Sequence, residues 1–190
     1  AGERLHHSTR GAFSALQMGV RDVRRQERCR SVTVSLSTSL ALKWLVPILP
    51  SFRREHPGIS LLLDTNDTFV DFETSDVDVA LRFGEPGWDG LHHELVKREE
   101  LIVVASPSLV DEMDLPMLAK DIVRLPMLHD AFNVSWDKWA EQMGTDPQEV
   151  SSQSIKYVDS AVLLEAAIDG QGVALARHLL AARDLVLGRL

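Results

Sequence analysis

At 190 residues, 45% apolar and 25% charged, the chain falls in the soluble globular range and can hold one ordinary domain or two small lobes. Its net charge of −8 argues against a nucleic-acid-binding surface over the whole chain, and no apolar run approaches the ~20 residues that span a bilayer. Cys29 is the single cysteine, so an internal disulfide is excluded and a reducing, cytoplasmic setting fits; the N-terminus shows no apolar export signal.

Residues 3–28 lack proline and place Leu5, Ala12, Leu16, Gly19 and Val23 at helical spacing. So thin an apolar seam on a long helix needs a partner, either its own domain or another chain. The first thirty residues carry Arg4, Arg10, Arg21, Arg24, Arg25, Arg28 and Arg30 against Glu3, Asp22 and Glu27. This cationic piece, residues 1–29, is expected to be a linker helix that dimerises, ahead of an acidic body.

From Ser31 the pattern alternates strands with helices. A strand is expected over Val32–Leu36 and a helix over Leu40–His56, kinked or split by Pro47 and Pro50 and ended by Pro57-Gly58. Ile59–Asp64 is a strand, and residues 66–75 form a short polar helix or a loop. Val77–Leu81 is a buried strand, Gly84, Pro86, Gly87 and Gly90 punctuate a turn, and an amphipathic strand precedes the strand Leu101–Ala105. A second cycle follows: a helix near Ser108–Glu112, a strand Met127–His129, a helix Trp136–Met143, a strand Ser154–Tyr157, a helix Ser160–Asp169 and a strand Val173–Ala176. Interleaving of this kind points to an α/β fold with mainly parallel sheets in two lobes, residues 30–106 and 107–190.

In such sheets ligands gather at the carboxyl ends of strands. Ser37-Thr38-Ser39 sits between a strand and a helix, where its hydroxyls either cap the helix or help to receive an anion. Arg82 ends a strand; it is either a solvated arginine or, beside those hydroxyls, a fork for a carboxylate. Tyr157 faces either the cleft or the core. Asp159 or Ser160 is the expected N-cap of the next helix, and His129, beside Asp130, is a structural histidine or a ligand contact. Gly170-Gln171-Gly172 follows a helix and precedes a strand, the reverse of a dinucleotide loop, and Gly170 should end that helix in a left-handed conformation. The adjacent pairs His6-His7 and His92-His93 cannot chelate by themselves. No Gly-x-Ser-x-Gly, His-Glu-x-x-His or Cys-x-x-Cys occurs. No enzyme constellation, metal site or cofactor is expected.

Three stretches in order, FRREHPGISLLL (52–63), LRFGEPGWDGL (81–91) followed by VVASP (103–107), and DSAVLLEAAIDGQGVALA (159–176), resemble the effector-binding domain of LysR-type transcriptional regulators. The branch that looks nearest contains the glycine-cleavage and beta-lactamase regulators. Ala1-Gly2-Glu3-Arg4-Leu5 is similar to the segment that opens the family's linker helix. The resemblance implies two Rossmann-like lobes like those of type-2 periplasmic binding proteins, with a small, anionic effector between them. The expected contacts are Ser37, Thr38, Ser39, Arg82, His129, Tyr157, Asp159 and Ser160. It also implies a homodimer or homotetramer, and DNA binding through a winged helix-turn-helix domain expected ahead of Ala1. The family continues beyond Leu190 with a strand and helix that return to the first lobe. A periplasmic-type solute-binding protein is the alternative on the same fold.

Overall fold

The structure is a computed structural model that describes Thr9 and residues 31–84, 87–111, 117–131, 136–146 and 154–190. The expected helix over 3–28 lies, apart from Thr9, outside the described residues. By internal contacts the chain forms two units: Ala1–Ser37 with Leu49–Gly84, and Thr38–Ile48 with Glu85–Leu190. Their limits differ from the lobes drawn from sequence, because residues 38–48 and the strand that begins at Leu101 go with the second unit.

In the first unit, β1 (Ser31–Leu36) lies between β2 (Ser60–Thr65) and β3 (Val79–Leu81), and both pairings are parallel. β3 is shorter than the expected Val77–Leu81, although Val77 is buried. The cause is Asp78. Its carboxylate accepts from Thr33 N at 2.9 Å while its own N–H donates to Thr33 O at 3.0 Å, so a side chain replaces one rung of the ladder. Residues 66–75 form no helix, because Asn66 and Asp71 draw nearby backbone N–H groups onto their side chains.

The expected helix over Leu40–His56 is three pieces: α1 (Thr38–Leu40), a π-helical turn Ala41–Leu45, and α2 (Val46–Glu55). Pro47 has no N–H to give the carbonyl four residues back, and its ring crowds that carbonyl. The backbone widens instead, and Val46 N–H reaches Ala41 O, five residues back.

In the second unit the sheet order is β4 (Leu101–Val104), β7 (Val173–Arg177), β5 (Met127–Asp130), β6 (Ser154–Tyr157). β7, β5 and β6 run parallel; β4 is antiparallel to β7. The amphipathic strand expected just before Leu101 is not formed: residues 92–100 have no regular structure, and Leu95 and Val96 are exposed. Helices α3 (Pro107–Val110), α4 (Ala119–Ile122), α5 (Trp136–Gln142), α6 (Ser160–Ile168) and α7 (His178–Val186) complete the unit.

Val123, Met127, Trp136, Ala140, Val173 and Leu175 form the core between α5 and the sheet. Trp136 can be wholly buried because its indole N–H donates to Leu128 O at 3.0 Å. α6 buries Ala161, Leu163, Leu164, Ala166 and Ala167. It ends as expected at Gly170, whose φ is +75°, with Gly170 N bonded to Ala167 O and Gln171 N to Ala166 O. Among the described residues no helix is long and apolar enough to cross a membrane.

Candidate functional site

Register determines which residues meet at the carboxyl edge of the first unit. Leu36 pairs with Leu81, so the residues that follow, Ser37 and Arg82, leave the same edge on neighbouring strands. The Arg82 guanidinium turns onto its own unit. It donates to Ser35 Oγ at 2.8 Å, to Thr68 O at 2.8 Å and to Leu81 O at 2.9 Å, with a longer contact to Asn66 Oδ1 at 3.5 Å. Its Nε is buried with no partner among the described residues. Burial lowers its pKa, while Asp67 and Asp64 pull it back up. Arg82 thus already has three acceptors, and it staples the loop at Asn66–Thr68 to β1.

The second unit gathers more of the expected residues. Thr38 is exposed and Ser39 is buried on α1, which packs against α6. Asp159 is the N-cap of α6: its carboxylate accepts from Ala161 N at 2.7 Å and Val162 N at 3.2 Å. Ser160 therefore serves elsewhere, donating to Asp130 Oδ2 at 2.7 Å. Tyr157 is half-buried, pairs in register with Asp130, and donates from its hydroxyl to Gln171 Oε1 at 3.3 Å. His129 sits one residue back on β5, with Nε2 buried and without a partner among the described residues. Burial lowers its pKa, Lys156 on the paired strand lowers it further, and Asp137 opposes both. At neutral pH the imidazole is uncharged.

Asp130, Ser160 and Arg177 are the polar lining of a shallow crevice too tight to enclose a water molecule, whose apolar walls include Leu101, Leu163, Leu175 and Leu180. Arg177 was not among the residues picked out from sequence. It ends β7 much as Arg82 directly follows β3, and the sequence carried a signal: Val173-Ala174-Leu175-Ala176-Arg177 echoes Val79-Ala80-Leu81-Arg82. Burial lowers the Arg177 pKa, and the charges of Asp130 and Glu99 oppose that shift. A half-buried cation and a carboxylate at strand ends, with a hydroxyl at the start of a helix, can orient a small polar molecule by ion pairing and hydrogen bonding. Among the described residues no group of His, Cys, Asp and Glu is placed to hold a metal ion.

The model of the LysR substrate binding domain matches residues 25–190. This chain belongs to that family. The Glycine cleavage system transcriptional activator of Escherichia coli K12 is 36% identical to it over 178 residues, which is 94% of this chain and 58% of the relative. The HTH-type transcriptional regulator PerR, also of E. coli K12, is 32% identical over 187 residues, 98% of this chain and 61% of PerR. This LysR domain thus spans less than two thirds of those curated relatives. Among solved structures, the effector domain of the regulator AmpR of Pseudomonas aeruginosa has a TM-score of 0.67 at 30% identity, covering 84% of this chain and 76% of that one. CrgA, a LysR-type transcriptional regulator from Neisseria meningitidis, has a TM-score of 0.68 over 99% of this chain and 65% of its own; at 19% identity it shows the fold alone. The fold is that of LysR effector-binding domains, which is like that of type-2 periplasmic binding proteins. These relatives are transcriptional regulators, so the solute-binding alternative is not favoured.

Proposed function

We propose that this LysR domain senses a small anionic or zwitterionic effector for a DNA-binding transcriptional regulator of the cytoplasm. The supporting observation is that α1, which carries Thr38 and Ser39, packs against α6, which begins with Ser160 beside Asp130. The residues placed first for effector contact are Ser39, Ser160 and Tyr157, with Arg177 added. Ser37, Thr38 and His129 come next. Arg82 and Asp159 act in support, because their polar groups already serve the loop at Asn66–Thr68 and the start of α6.

In the full-length protein an N-terminal winged helix-turn-helix would read DNA, and the protein would act as a dimer or tetramer. An effector changes such an assembly only by binding its states unequally; coupling of about 1–3 kcal/mol is typical. The E. coli relative is named for glycine cleavage, so amino acids head the candidates, followed by dicarboxylates and peptidoglycan fragments. Thermal-shift screening of that panel, then calorimetry of each hit on wild type and Ser160→Ala, tests the reading. The expected result is a ligand whose affinity falls at least about tenfold in the variant, the loss of one hydrogen bond to a charged group. Equal affinity for both proteins would remove the start of α6 from the site.

A further inference from the structure

In and just after the π-helical turn Ala41–Leu45, a lysine faces inward beside the buried Ala41 while two apolar side chains face water. Leu42 and Val46 are 54% and 44% exposed, whereas the Lys43 side chain is only 9% exposed. Its ammonium donates to Asp184 Oδ2 on α7 at 3.0 Å and to Glu165 Oε1 on α6 at 2.7 Å. Asp184 is almost wholly buried, at 1% exposure, and its second oxygen pairs with Arg189. All four charged residues belong to the second unit. The same turn buries Ala41, and the ion pairs offset the cost of turning Leu42 and Val46 to water and a lysine inward. A buried pair fixes geometry more than it adds stability, and loss of one member strands the other.

We propose that Lys43 is a positioning residue. Its ammonium fastens the π-helical turn to α6 and α7 at once and so fixes the corner Thr38–Leu40 on α6. The effector-facing hydroxyls of Thr38 and Ser39 then keep one disposition toward Ser160. The functional meaning of this latch rests on the proposed sensing role; the latch itself does not.

Trp44, next to Lys43, provides a local reporter. The full chain would be labelled with 5-fluorotryptophan, its fluorine resonances assigned by Trp44→Phe, and amide exchange followed by mass spectrometry. In Lys43→Met the Trp44 resonance should move or broaden, and amides of residues 38–46 should lose protection by about tenfold or more, while Trp136 and Trp139 keep their resonances. Lys43→Met/Asp184→Leu removes both charges. It should regain the stability that the single variant loses and still show the displaced Trp44 signal. An unchanged Trp44 resonance and unchanged exchange in Lys43→Met would overturn the assignment. So would a double variant with the wild-type signature, or failure of both variants to fold, which would make the pair a folding requirement. No ligand enters these measurements, so an effector panel without hits would sink the sensing proposal and leave the latch standing.

Discussion

Arg82 reaches across from the end of β3 to donate to the hydroxyl of Ser35, a wholly buried residue of β1, at 2.8 Å. The same nitrogen holds Thr68 O, so one side chain joins two strand ends and a loop. Arg82→Ala should lower stability in urea by about 2 kcal/mol, from lost charged hydrogen bonds and a stranded buried hydroxyl. Arg82→Lys should recover only part of this, because an ammonium lacks the planar fork. A loss below about 0.5 kcal/mol in Arg82→Ala would show that the staple carries no stability.

Gly172 is required by a close approach of backbones. A Cβ there would lie 2.4 Å from Pro126 O, beside the bond from Val173 N to that same oxygen at 2.8 Å. Gly172→Ala should destabilise by about 1–3 kcal/mol, as overpacking does. Gly58 has open space around the same position and no left-handed φ, so Gly58→Ala should be neutral or add up to about 1 kcal/mol. Paired thermal melts check both.

Asp159 caps α6 through two backbone N–H groups. Asp159→Ala should cost about 1 kcal/mol, while Asp159→Asn keeps an acceptor and most of the stability. If Asp159 serves the helix alone, the Asn variant binds any effector found with wild-type affinity; calorimetry on that pair of proteins separates cap from contact.

His129 makes stability depend on pH. Its folded pKa lies below the ordinary 6.5, chiefly through burial and then through Lys156, so the unfolded chain takes up the proton more readily. Stability from the neutral ring is therefore whole above pH 6.5 and is lost as pH falls below it, toward the lowered folded value. Melting temperatures of wild type and His129→Gln at pH 7.5 and 5.5 should differ in slope, with the flatter profile in the variant. Parallel slopes would assign the acid loss to other groups.

Local pattern made the framework legible. Strands such as Val173–Arg177 are short apolar runs between turn residues, and Gly170 and Asp159 mark the ends of α6 by their own chemistry. Pro47 announced that the helix after β1 would not run straight. How the backbone resolves it, through a π-helical turn with Lys43 facing inward, depends on Asp184, 141 positions away. The truncation of β3 by Asp78 needs the pairing partner Thr33, which a local reading cannot supply. The antiparallel direction of β4 and the helix α7 also escaped notice, because neither the run Leu101–Val104 nor His178–Val186 states its neighbours. The same gap separates the expected role of Arg82 from its partners: the strand end was readable, and Ser35 beside it was not.

The backbone passes between units at Ser37–Thr38, at Ile48–Leu49 and at Gly84–Glu85. A single cut after Gly84 therefore leaves the first unit whole, with residues 38–48 still attached to it, and can never release the second unit intact. A fragment starting after Gly84 would carry Asp184 and Glu165 without the lysine that meets them, and rebuilding it would take an eleven-residue peptide (38–48) added in trans.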